Sequence, residues 1–306
     1  MRLDDFDPNI NVGSQENRGG GFGGFGGGGG GLLFSLLPLI GSRFGCGGIV
    51  VVLLLLAVFG GGLGGLGSLL GGGGAPTGQV ATRPASTGSG AVAICSADPA
   101  RRATCNAFSN AENTWEALYA QAGQRFEAPS LQFFDRNGQS ACGAAQAAMG
   151  PFYCPLDRGI YIDTSFFNEL ATRFNAAGDF AQYYVVAHEF GHHIQTLTGA
   201  SARVQQTQRS GGRAEGNEAS VRLELQADCY AGVWAAQNRQ RLEPGDIEEG
   251  LRAAQAIGDD TLQRQSGGTV NQESFTHGTS AQRMAWLRRG LETGDPAACD
   301  TFSGAV

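Results

Sequence analysis

Three of the four histidines in the chain fall within six positions, as His188, His192 and His193. With Glu189, the first two spell H-E-x-x-H. Residues four apart on an α-helix share a face. His188 and His192 can therefore bind one metal ion through neutral imidazole nitrogens, while Glu189 lies beside them, placed to take a proton from an attacking water. His193 is rotated about 100° from His192 on such a helix and reads as a structural side chain. Catalytic zinc needs a third protein ligand and an open position. Continuing to H-x-x-G-x-x-H would require glycine and histidine where Gln195 and Thr198 stand, so the third ligand lies elsewhere. The stretch RLELQADCYAG offers Glu224 and Asp228, again four apart. Glu224 is the expected ligand, with Glu218 its rival. Asp228 is expected to accept the second ring N–H of His188, which fixes the tautomer and raises ligand basicity. The apolar neighbours Leu223, Leu225, Ala227 and Ala231 place these two acids on a buried helix, where they need partners.

Composition narrows the other possibilities. All 21 basic residues are arginine, which excludes a phosphate-loop lysine, a Schiff-base lysine and a serine–lysine dyad. The net charge of −7 argues against a nucleic-acid binder, because phosphate contacts need a basic face. No G-x-S-x-G serine motif occurs. Cys229, beside Asp228, has no histidine assigned to activate it.

The elements that must position these residues follow from periodicity and breakers. Helices are predicted over residues 110–122, 164–175, 179–198, 217–240, 244–257 and 279–292. Residues 131–135 read as a strand and residues 152–163 as a hairpin turning at Asp157-Arg158-Gly159. Gly159-Ile160-Tyr161-Ile162-Asp163 is either a core strand or an edge strand that pairs with an extended substrate. The folded domain is α+β and is expected over residues 91–306.

The N-terminal third reads differently. Of the 50 glycines, 26 lie in residues 1–74. Residues 1–46 are expected to be a disordered glycine-rich tail. Residues 47–70 are uncharged and long enough to span a bilayer, and residues 71–90 read as a flexible linker. The expectation is a single transmembrane helix in the cytoplasmic (inner) membrane, with the catalytic domain extracytoplasmic or periplasmic. Six of the seven cysteines lie beyond that helix, an even number, as disulfides require. Closeness in sequence pairs 95–105 and 142–154 and leaves 229–299, although six cysteines allow 15 pairings.

The joint pattern His188-Glu189-Phe190-Gly191-His192 with Glu224-Leu225-Gln226-Ala227-Asp228 resembles the gluzincin pattern H-E-x-x-H…E-x-x-x-D. More closely, the chain resembles the membrane-anchored bacterial neutral zinc metallopeptidase family. The resemblance runs through GPFYCPLDRGIYID, AHEFGHHIQ, ELQADCYAGVWA, THGTSAQRMAWL and CDTF. It implies a zincin-like fold with an active-site helix and a second ligand helix. It also implies one Zn2+ on His188, His192 and Glu224, Glu189 as general base, and a peptide or protein substrate. A similar histidine followed by an arginine-bearing helix in CAAX-prenyl-protease-type gluzincins implies that His277 donates to the oxyanion, with Arg283 nearby. The competing expectation for His277 is a helix-capping or surface residue. The competing function is a zinc-stabilised extracytoplasmic interaction module in which metal supports folding and catalysis is vestigial.

Overall fold

The computed structural model describes residues 1–16 and 81–306. Apart from residues 263–270, the described part belongs to one compact unit. In chain order its strands are β1 (Val12–Glu16), β2 (Ala81–Ser86), β3 (Ser130–Phe134), β4 (Asn137–Ser140), β5 (Gly143–Gln146), β6 (Phe152–Cys154) and β7 (Gly159–Ile162). Its helices are α1 (Ser89–Cys95), α2 (Pro99–Gln121), α3 (Ser165–Thr172), α4 (Asp179–Leu197), α5 (Ala200–Ser210), α6 (Arg213–Gln237), α7 (Asp246–Ala256), α8 (Asp259–Gln265) and α9 (Ser280–Thr293). The result is α+β, as expected, and mostly helical.

The main sheet has the order β2-β1-β3-β7-β6, and β4 with β5 forms a separate hairpin. β1, β3 and β7 run parallel, with Val12 opposite Leu131 and Leu131 opposite Ile160. β6 returns antiparallel, pairing Phe152 with Tyr161, whose rings stack at 4.9 Å. All four residues of β7 are buried, as suits a strand covered on both faces. β7 lies between β3 and β6, so it is a core strand and not an edge available to substrate.

β1 corrects the expectation of a disordered tail. Its sequence, VGSQE, has no hydrophobic alternation, yet Val12, Ser14 and Gln15 are buried. The polar side chains have partners. Gln15 donates to the Gln139 carbonyl at 2.7 Å and accepts from the Gln139 N–H at 2.7 Å. Met1, Leu3 and Ile10 are also buried. The Met1 amino group pairs with Asp246 at 2.7 Å and Asp179 at 3.2 Å, at the start of α4. On the other side of the undescribed stretch, β2 and the first residues of α1 fall within 81–90, part of the 71–90 stretch expected to be linker.

No helix among the described residues is long and apolar enough to cross a membrane. The span expected over residues 47–70 lies outside the described residues, and the sheet supplies the reason the expectation fails. β1 precedes that stretch and β2 follows it, yet they are antiparallel neighbours with Glu16 opposite Ala81. A chain crossing a bilayer once between them would leave the two strands on opposite sides. The single-pass anchor, and the membrane location derived from it, are therefore corrected.

The helices form where caps and burial agree. Asp98 caps α2 by accepting from the Arg101 N–H, with Pro99 in its first turn. α9 opens with a reciprocal capping box between Thr279 and Gln282 and ends at Gly294, whose φ of 62° favours glycine. α6 and α9 meet backbone to backbone. A Cβ on Gly290 would lie 1.9 Å from the Cys229 carbonyl oxygen, and one on Gly232 would lie 2.2 Å from that of Leu287. This close approach brings α9 onto the helix that carries Glu224 and Asp228. The three disulfides are those expected: Cys95–Cys105, Cys142–Cys154 and Cys229–Cys299.

One buried acid on α2 strains the fold. The Glu112 Oε2 atom is sealed without a partner, and burial, followed by the charges of Glu116 and Asp7, raises its pKa to about 7. The unfolded chain ionises this group near its ordinary value while the folded chain resists. Stability attributable to Glu112 therefore falls as pH rises from that value through about 7. Glu112→Gln is expected to raise stability by about 1 kcal/mol at pH 8, a figure discounted for residual solvent contact, and to change little at pH 4. Thermal denaturation of both proteins at the two pH values checks this.

Candidate metal centre

α4 is buried on nearly every side from Phe180 to Gln195, so its polar residues must be satisfied within the protein. Three residues on two helices close the site. His188 Nε2 lies 3.2 Å from Glu224 Oε2, and His192 Nε2 lies 3.4 Å from Glu224 Oε1. His188, His192 and Glu224 each offer a ligand atom, and these atoms lie within 4.8 Å of one another. Glu218, the rival ligand, is instead exposed and paired with Arg222 at 2.9 Å.

The nitrogens facing away from this trio fix both tautomers. His188 Nδ1 is 2.8 Å from Asp228 Oδ1, a carboxylate that can only accept, so Nδ1 carries a proton and Nε2 is the nitrogen turned toward Glu224. His192 Nδ1 is 2.8 Å from Gln195 Oε1. Gln195 Nε2 donates to the Leu223 carbonyl at 2.6 Å, which orients the amide so that its oxygen faces His192. That histidine therefore also holds its proton on Nδ1 and presents a bare Nε2. Two converging imidazole nitrogens and one carboxylate are a donor set that fits zinc once His188 gives up its Nε2 proton.

Asp228 is the hub behind the site. It is fully buried and accepts from Tyr184 Oη at 2.6 Å, His188 Nδ1 at 2.8 Å, Arg283 Nε at 2.8 Å and Arg283 Nη2 at 2.9 Å. Burial opposes its charge, but Arg283 and then His188 outweigh burial and hold its pKa at about 2. Burial also opposes a charged His188, yet Asp228 and Glu224 raise it to about 10 without metal. Metal binding would displace that proton. Burial opposes ionisation of Glu224 too, and His192 and His188 pull its pKa well below the ordinary carboxylate range. Glu189 differs, because there burial prevails over the two histidines and its pKa is raised.

Arg283 does not stand open toward a substrate oxyanion. It is 2% exposed and engaged by Asp228, with a further contact from Nη1 to the Ile257 carbonyl at 3.3 Å. His277 is half exposed and lies 3.2 Å from Asp259 Oδ1. Asp259 Oδ2 also accepts the backbone N–H groups of Thr276, His277 and Gly278 at 2.7, 2.6 and 3.1 Å. A single carboxylate thus shapes the loop that presents His277. Burial opposes the charged ring, but Asp259 and Glu224 raise the His277 pKa above its usual value.

His193 points away from the trio. Its Nε2 lies 2.6 Å from the Glu127 carbonyl oxygen and must donate to it, so Nδ1 accepts from Tyr153 Oη at 3.1 Å. Burial lowers its pKa to about 4, which keeps the ring neutral. It fastens α4 to β6 and to the loop before β3. Cys229 is in a disulfide. The sequence reading did not single out Tyr184, Gln195 as a partner of His192, or Asp259. Tyr184 is four residues before His188 and Gln195 three after His192, spacings that put each beside its histidine. No comparable signal marks Asp259.

A buried helix carrying His188, Glu189 and His192, facing a second helix that carries Glu224, makes a helix pair that could hold a metal ion within an α+β domain. The chain belongs to the family described as "Putative neutral zinc metallopeptidase", whose model matches residues 5–302. The uncharacterized protein YpfJ of Escherichia coli K12 is 49% identical over 211 residues, covering 68% of this chain and 74% of that protein. Uncharacterized proteins of Mycobacterium bovis and Mycobacterium tuberculosis H37Rv are each 43% identical over 223 residues, with the same coverage. No solved structure matches.

Proposed function

We propose that the chain is a gluzincin-like zinc metalloendopeptidase, with one Zn2+ held by His188, His192 and Glu224. The carrying observation is the convergence of two Nε2 atoms on one carboxylate, each histidine held from behind by an acceptor of fixed orientation. A bound zinc supplies a Lewis acid that polarises the scissile carbonyl and acidifies a coordinated water. Glu189 takes the proton of the attacking water and passes it to the leaving amine. His277, held by Asp259, donates a hydrogen bond to the carbonyl oxygen as it gains charge. Asp228, Tyr184 and Arg283 act behind His188 and keep its ring in one tautomer and one orientation.

The test is metal content of the full chain, wild type against Glu224→Ala. About one zinc per chain in the wild type, lost in the variant, is the expected result, since a catalytic site takes three protein ligands. Metal-free wild-type protein after incubation with zinc would end the proposal. So would an undiminished zinc content in Glu224→Ala.

A further inference from the structure

A second cavity, of about 400 Å3, lies where α5 and α6 meet the C-terminal turn. Its wall includes Arg203, Gln226, Tyr230, Asp300, Phe302 and Ser303 and none of the residues proposed to hold metal. It is large enough for a small organic ligand. Three of its polar groups are poorly satisfied. The Arg203 guanidinium lies over the Phe302 ring, 5.8 Å from its centroid, and among the described residues forms no ion pair. The Asp300 carboxylate accepts the N–H groups of Phe302 and Ser303 at 3.0 and 3.2 Å and is unpaired with any cation among the described residues. A hydrogen bond from the Ser303 side chain, then these N–H groups and the charge of nearby Arg203, hold its pKa below the ordinary value, so the carboxylate is charged at neutral pH. Gln226 is more than nine-tenths buried. Its Nε2 donates to the Cys299 carbonyl at 2.9 Å, and its Oε1 is buried with no partner.

One cavity therefore carries a free cation, a free anion and an unused buried acceptor. The two opposite charges share a wall yet stay beyond ion-pair contact. We propose that this cavity binds a small zwitterion of the α-amino acid class. Its carboxylate pairs with Arg203 and its ammonium faces Asp300 and Gln226 Oε1, with an apolar side chain against Tyr230 and Phe302. An anion alone would leave Asp300 and Gln226 unanswered, and a cation alone would leave Arg203 so. A guanidinium suits the carboxylate because its planar donors match both oxygens. The binding inference stands on the cavity alone and does not depend on the peptidase reading.

L-phenylalanine contains no peptide bond and is titrated calorimetrically into the full chain, in parallel with N-acetyl-L-phenylalanine and L-phenylalaninamide. The amino acid is expected to bind, and each blocked form to bind at least about tenfold more weakly, the scale of one lost charge-assisted hydrogen bond. Arg203→Gln, at an exposed position where folding does not depend on the side chain's burial, is expected to reduce L-phenylalanine to the level of the amide. It should leave the amide itself unchanged. Glu224→Ala is expected to bind the amino acid as the wild type does, which separates this site from the metal centre. Absence of binding up to about 10 mM, the weak end of measurable affinity, would overturn the proposal. Equal binding of all three probes, or binding indifferent to Arg203→Gln, would do the same. Loss confined to Glu224→Ala would assign the amino acid to the metal centre and overturn it equally.

Discussion

Glu189→Gln protein should keep its zinc and lose peptide hydrolysis by about 10²- to 10⁴-fold, the usual weight of a general base. Neither Nε2 atom nor the Glu224 carboxylate is touched by the change, so metal content should match the wild type. Glu189 is 7% exposed, and among the described residues its carboxylate has no hydrogen-bond partner. The substitution therefore breaks no internal contact and should leave folding intact. Gln has the same length but cannot take a proton. Turnover measured on a peptide library beside zinc content gives the decision. Undiminished turnover with zinc retained would remove Glu189 from the mechanism. Loss of both would show that Glu189 holds the site together. Zinc retained with no turnover in the wild type would instead favour a metal-stabilised interaction module.

Asp228→Ala should cause the largest loss of stability. The carboxylate answers four donors, among them both Arg283 nitrogens that reach it. Removing it leaves a guanidinium that is 2% exposed without its counter-charge, a defect worth about 3–5 kcal/mol. Thermal denaturation should show a fall of roughly 10 °C or more for a chain of this size. Asp228→Asn retains the shape and one acceptor and should lose less stability. It should weaken zinc about 10- to 100-fold, because His188 loses the carboxylate behind Nδ1. A chelator competition assay measures that change. An Asp228→Ala protein that melts with the wild type would mean that Arg283 finds another partner, and the hub described here would be wrong.

The site was more legible than the sheet, for a physical reason. His188 with His192, and Glu224 with Asp228, repeat at the helical interval within one element each, so the sequence itself places them on a face. The partner across the gap is then the only acid pair in an apolar helix. The disulfides followed from closeness along the chain. β1 carries no such mark. Its buried polar residues are Ser14, which accepts from Arg101, and Gln15, satisfied by the Gln139 backbone of β4, so the alternation that announces a strand is missing. The same composition made residues 1–16 look like tail, and the uncharged run after them then looked like an anchor. Asp259 was unreadable because it acts on a loop 17–19 residues away through backbone N–H groups, which no residue type reveals. Arg283 was placed near the site without its partner, since burial against Asp228 depends on how closely α9 approaches Gly232.

The position of β1 has a consequence for how the chain assembles during synthesis. Glu16 pairs with Ala81 and Val12 with Leu131, so both neighbours of β1 are made long after β1 itself. The strand must wait with its ladder groups in water until β3 has been translated. Closing a loop of more than a hundred residues costs entropy before any contact repays it, and parallel pairings of this kind form slowly. The helices that hold the metal ligands lie later still, but their pairing is local, between α4 and α6. The metal-site helix pair can thus assemble on its own schedule, while the sheet is completed by the oldest part of the chain returning to a slot between β2 and β3.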